Sequence, residues 1–107
     1  MQVEKNRQSK MEITQRYKLD DFVKKHANVL QPLNNWIERV ENAQWKNHNE
    51  LKLDFPSVDY VTNNRYVFNI KGNNYRIVVV LVFFAGELNI RFAGTHAEYD
   101  KIDAKTI

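Results

Sequence analysis

Cysteine is absent from these 107 residues, which removes disulfides and thiolate metal sites and makes a reducing cytosol the natural setting. No apolar run is long enough to span a membrane, and the polar opening segment Met1 to Lys10 lacks the apolar stretch of a signal peptide. Internal repeats and low-complexity linkers are missing too. A cytoplasmic protein without membrane contact is therefore expected, with 1–10 as a flexible extension and 11–107 as one domain long enough to bury a core. Acidic residues are lacking in one place in particular. Between Tyr60 and Glu87 there is no Asp or Glu, while Arg65, Lys71 and Arg76 all fall there. The formal net charge of +3 permits an anionic partner without demanding one.

The first half mixes both charge signs, as solvated helical surfaces do. Met11 to Thr14 reads as a brief edge strand. From Lys18 the apolar spacing is helical, through Leu19, Phe22, Val23 and His26. A second helix is predicted from about Val29 to Trp45, with Pro32 in its first turn and Leu33, Trp36, Ile37 and Val40 as its apolar stripe. A further helical turn over Glu50 to Asp54 precedes Pro56. Strands follow: Arg65 to Lys71 alternates, Tyr75 to Phe84 is nearly all apolar and β-branched, and Leu88 to Ala93 alternates again. Thr95-His96-Ala97-Glu98 has the form of a capping box, which predicts a last helix starting at His96. The sum is an α+β domain: N-terminal helices packed on a small antiparallel meander, with a short C-terminal helix.

The turns fix which residues share a face. With Gly72-Asn73 as a two-residue hairpin turn, Asn69 lies opposite Arg76, Val67 opposite Val78 and Arg65 opposite Val80. With Ala85-Gly86 as the next, Val80 faces Arg91 and Val82 faces Asn89. Arg65, Asn69, Lys71, Arg76, Asn89 and Arg91 then line one face over a valine floor. Tyr66, Phe68, Ile70, Ile77, Val79, Leu81, Phe83, Leu88, Ile90 and Phe92 supply the core on the other. A one-residue slip would bury every polar group. A plain solvent-facing sheet side would also be polar, but cations on valine without acids suit a phosphate groove. Asn73, at the turn, joins Arg65, Asn69, Asn89 and Arg91 as a candidate RNA contact.

His96, Tyr99 and Asp100 fall on neighbouring turns of the last helix, whose free N–H groups favour a phosphate. The alternative is that Thr95 and Glu98 only cap, Tyr99 packs and His96 is an exposed first residue. Cutting RNA without a metal requires a base for the 2′-hydroxyl proton, an acid for the leaving 5′-oxygen and cations for the phosphoryl oxygens. Histidine can fill either proton role, arginine grips phosphate through two parallel N–H bonds, and tyrosine can stack on a base or bond the phosphate.

Three segments taken in order carry a resemblance: Phe55-Pro56-Ser57-Val58-Asp59, Val67 through Val78, and Gly94 through Asp100. Leu19 to His26 and Gln31 to Trp36 add to it. From about Met11 onward the chain resembles the HigB-type toxins of the RelE-like mRNA interferase superfamily. The resemblance implies a RelE-like fold and a translation-blocking endoribonuclease that cuts messenger RNA, usually on the ribosome. It also implies a HigA-type helix-turn-helix antitoxin, operator DNA contacted only through that antitoxin, and no cofactor or metal. Carried onto this chain, the superfamily's catalytic arginine after the strand tyrosine is Arg76, its later basic residue is His96, and its terminal tyrosine is Tyr99. Lys71 remains of a more lysine-rich strand, in which Asn69 and Val67 stand at other positions. His96 is the first candidate for general base and Lys71 the second.

Two other readings stay open on sequence. A metal-dependent nuclease would need ligands closer together than His26, His48 and His96, or Asp54 and Asp59 about a proline turn. A non-catalytic RNA- or ribosome-binding module, or an inactive toxin relative, would bind with steep salt dependence and yield no product. Trp36 and Trp45 are expected in helix packing, and Lys24-Lys25 on a solvated face.

Overall fold

The computed structural model describes residues 10–107; of the expected N-terminal extension, residues 1–9 lie outside them. In chain order the elements are β1 (Glu12–Thr14), α1 (Tyr17–Lys25), a 3-10 turn (Ala27–Val29), α2 (Leu30–Glu41), α3 (His48–Asp54), β2 (Asp59–Tyr60), β3 (Arg65–Ile70), β4 (Tyr75–Val82), β5 (Glu87–Thr95) and α4 (His96–Tyr99). The fold is α+β, as expected. The second helix ends at Glu41 rather than near Trp45, because the chain turns there to seat Ala43 and Trp45 in the core. Trp45 then donates its indole N–H to Asp54 Oδ2 at 2.7 Å, which ties that turn to the end of α3.

The strands form one sheet in the order β1-β5-β4-β3-β2. β3 through β5 make the expected antiparallel meander and the unforeseen β2 extends it, but β1 lies parallel to β5, with Ile13 beside Leu88, so the sheet is mixed. Chain direction causes this: α1 and α2 follow β1 and cross one face before the meander begins. Those helices bury Leu19, Phe22, Leu33, Trp36 and Val40 against Tyr66, Phe68, Ile70, Ile77, Val79, Leu81, Leu88 and Ile90. Burial of side chains this size contributes about 1.5–3 kcal/mol each relative to exposure.

The β3–β4 register is the expected one, with Arg65 opposite Val80, Val67 opposite Val78 and Asn69 opposite Arg76. The turn is nonetheless wider. Ile70 pairs with Tyr75, and the left-handed residues are Lys71 (φ 55) and Gly72 (φ 66) rather than Gly72 and Asn73. The β4–β5 register differs more. Val82 pairs with Glu87 and Val80 with Asn89, across a loop over 83–86 in which Gly86 takes the positive φ of 65. A bulge then follows: Val79 faces Ile90 but Val78 faces Phe92, leaving Arg91 as the extra residue. Beyond it the alternation of β5 inverts. Phe92, expected in the core, therefore lies on the helix-free face with Gly94, and neither Phe92 nor Phe83 is fully buried.

Candidate active site

Strand β4 places Arg76 on the helix-free face, between Asn69 of β3 and Gly94 of β5. Its guanidinium carbon lies 4.8 Å from the ring centroid of Tyr99, and that ring is 6.4 Å from Phe92. A cation against an aromatic face is held in place without losing its charge. Arg76 Nε is buried and has no hydrogen-bond partner, and among the described residues no carboxylate lies within ion-pair distance of the side chain. Arginine so held is suited to an incoming anion, above all phosphate, which its planar fork can bind through two parallel bonds.

The last helix begins where the sequence placed it. Thr95 Oγ1 accepts the Glu98 N–H at 3.1 Å, and Glu98 Oε1 accepts the Thr95 N–H at 2.8 Å, closing the capping box. The Thr95 backbone N–H, first among several causes, holds the Glu98 carboxyl below the usual carboxylate range; the charge of His26 adds to this against the opposing effect of burial. Gly94 makes the tight turn possible, since a Cβ there would stand 2.6 Å from Glu98 Oε1 and 2.8 Å from Phe92 Cζ. His96 is exposed, with Nδ1 3.3 Å from Asp100 Oδ2. A carboxylate on Nδ1 orients the ring and leaves Nε2 open to solvent for proton transfer. His96 follows Gly94, the β5 partner of Arg76, by two residues, which brings the start of α4 beside the strand position of Arg76.

The other expected site residues divide. Lys71 lies past the end of β3 with a left-handed backbone, so it leaves the strand alternation that would have aimed it at the same face. Asn73 is exposed in the same turn, and Asn69 donates to the Ser57 carbonyl at 3.4 Å. At the opposite end, Asn89 donates to Thr14 Oγ1 at 2.8 Å and accepts from Arg91 at 3.2 Å. Arg65 Nε and Nη2 and Arg91 Nε all donate to one acceptor, the Ile107 oxygen, at 3.0, 2.8 and 3.1 Å. The segment after α4 thus reaches back over the face, with Ile102, Ala104 and Ile107 half-buried, and the floor valines Val67 and Val78 are 2% and 0% exposed. No periodicity in 100–107 announces this contact. Sequence reasoning also missed His26, whose Nε2 is 3.6 Å from Glu98 Oε1. Among the described residues no group of three or more His, Asp or Glu side chains is placed to hold a metal ion, and no helix is long and apolar enough to cross a membrane.

On this α+β frame an arginine packs on a tyrosine face, near an exposed histidine at the start of a capped helix. The family model that matches, over residues 29–102, is that of the HigB toxin, the RelE-like toxic component of a toxin-antitoxin system. The chain belongs to this family, and the matched segment contains Arg76, His96 and Tyr99. The mRNA interferase toxin HigB of Escherichia coli K12 is 36% identical over 77 residues, covering 70% of this chain and 71% of that one. The mRNA interferase HigB of Shigella flexneri gives the same values, 36% over 77 residues. The mRNA interferase HigB of Escherichia coli O6:H1 is 24% identical over 94 residues, 86% of this chain and 91% of the relative. As the toxic component of such a system, the chain has an antitoxin for a partner.

Proposed function

We propose that this chain is a metal-independent endoribonuclease that cuts messenger RNA, with Arg76, His96 and Tyr99 as its catalytic residues. The observation that carries the reading is the unpaired Arg76 guanidinium on Tyr99, at the corner where His96 begins α4. In the reaction a base removes the proton of a 2′-hydroxyl, the oxygen attacks the adjacent phosphorus, and the bond to the 5′-oxygen breaks as an acid protonates it. The products are a 2′,3′-cyclic phosphate and a free 5′-hydroxyl. His96, oriented by Asp100, carries a proton; Arg76 balances the charge on the phosphoryl oxygens; Tyr99 packs on Arg76 and presents its ring or hydroxyl to the nucleotide. Acid–base help of this kind contributes about a hundred- to ten-thousandfold. Charge stabilisation by one well-placed donor adds about a further hundred- to thousandfold. Lys71 and Asn73, exposed at the hairpin, contact RNA flanking the cut, as does Asn69.

The relatives named mRNA interferase support messenger RNA as the substrate. On this reading the chain acts in the cytoplasm on messages in the ribosomal decoding site, and a HigA-type helix-turn-helix antitoxin silences it and supplies the contacts to operator DNA. The test is to express the chain without an antitoxin, map the cleavage ends on a translated message and identify their chemistry. Growth arrest with 5′-hydroxyl and 2′,3′-cyclic phosphate ends is expected. Harmless high-level expression with intact messages would replace the reading with a non-catalytic binder.

A further inference from the structure

The catalytic corner hangs on a helix of one turn. Helix α4 is only His96–Tyr99, far too short to persist by its own hydrogen bonds. One flank is fixed by Tyr99 against Arg76 and Phe92. Glu98 fixes the other, through the Thr95 N–H, and its Oε1 is also 3.6 Å from His26 Nε2. His26 ends α1, and its ring is wedged between Phe22 (centroids 5.7 Å apart) and Tyr75 (5.3 Å), the residue before Arg76. Its Nε2 is buried and has no hydrogen bond among the described residues, and the Glu98 carboxylate lies 3.6 Å from it. Tyr75 is itself anchored, its hydroxyl donating to Asn28 Oδ1 at 2.9 Å.

We propose that His26 is a positioning residue for RNA cleavage: through Glu98 it sets the single helical turn that presents His96 and Tyr99 beside Arg76. The inference rests on the endoribonuclease reading but concerns a residue outside the family-matched segment, which starts at residue 29. The charged and titratable groups around His26 are few. Helix α1 contributes Lys18, Asp21 and Lys25, which line the same recess of ≈ 230 Å³; α4 contributes Glu98; β4 contributes Tyr75; and β5 offers only Phe92 and Ala93. Protonated, His26 sets a positive charge 3.6 Å from the Glu98 carboxylate. Neutral, with its proton on Nδ1, it turns a lone pair toward the carboxylate, and that attraction is lost. Position of the catalytic turn then follows the protonation of a residue that touches no substrate.

Two variants and two readouts test this. His26→Ala removes the link; His26→Gln restores a non-titrating N–H donor of similar reach. In single-turnover and steady-state cleavage, H26A should lower kcat by about ten- to a hundredfold, as misplacement of reacting groups does. KM should stay within about twofold, because the phosphate-binding arginine is untouched. H26Q should recover most of kcat. In NMR, the Thr95 amide, which donates to Glu98, should show in the wild type a step that follows the His26 ring and is missing from H26Q, where any step left follows His96. Equal losses of kcat and thermal stability in both variants would reduce His26 to a packing residue and overturn the proposal. So would an unchanged kcat in H26A, or a Thr95 amide indifferent to His26 titration. A wild type that cuts no RNA would instead defeat the endoribonuclease reading, while the amide titration would still decide whether the brace exists.

Discussion

At the scale of single residues, charge left unpaired separates the candidate catalytic groups from the rest of the basic face. Arg65 and Arg91 spend their donors on the Ile107 oxygen and Asn89 bonds Thr14, whereas Arg76 keeps a guanidinium with no acid beside it among the described residues. Composition showed that cations gather in this stretch without acids. It could not show which of them the folded chain would satisfy internally, since that depends on where residue 107 comes to rest. His96 is the other residue whose role is specific. Replacing it with Ala removes the proposed proton carrier from an exposed position, so stability should hardly change, while single-turnover cleavage should fall by about a hundred- to ten-thousandfold. Retained cleavage in a folded H96A protein would move the proton transfer elsewhere, with Lys71 next in line. Replacing Arg65 or Arg91 should do the reverse, lowering the melting temperature more than RNA affinity, as thermal unfolding and filter binding over a salt series would show. A loss of about one unit of salt slope in either variant would mean that it binds phosphate after all.

Among elements, the bulge in β5 and the cap of α4 decide the site. Alternation was legible along β3, and the whole β3–β4 register followed from a turn placed at Gly72, although β4 is nearly all apolar and Val67 and Val78 on the second face are buried as well. The bulge at Arg91 had no such signature. A strict alternation through Leu88, Ile90 and Phe92 looks continuous, yet the extra residue moves Phe92 across the sheet to pack beside Tyr99. The capping box was legible because its residue types and spacing are the mechanism itself. Two expectations follow for this cap. Gly94→Ala would push a methyl group into Glu98 and Phe92, so it should cost about 1–3 kcal/mol of stability in denaturant titration and displace the catalytic turn, lowering cleavage as well. Glu98 in the folded chain has a lowered pKa, so its stabilisation is complete above the ordinary glutamate value and vanishes as pH falls through the lowered one. Wild type should therefore lose more melting temperature than Glu98→Gln between neutral and strongly acidic pH. Parallel loss in the two proteins would show that the carboxylate contributes nothing at the cap.

Over the whole molecule, one face of the sheet holds the core and the other carries the candidate catalytic arginine. Helices α1 and α2 cover the first, and the parallel strand β1 lets both cross it before the meander begins. The second carries Arg76 beside α4 at one end, while at the other the segment after α4 brings the Ile107 oxygen to Arg65 and Arg91. This division was foreseeable from the pattern of the strands; its partial covering was not, because an irregular tail carries no periodic signal. Family membership and that corner point to the same activity, and the corner's chemistry centres on Arg76. The most direct measurement is the single-turnover rate at which Arg76→Ala cuts a message held in a programmed ribosome, compared with wild type at equal folded fraction. A fall of about a hundredfold or more is expected, with the melting curve little changed. Cleavage at the wild-type rate would contradict the claim that this guanidinium holds the phosphate being cut.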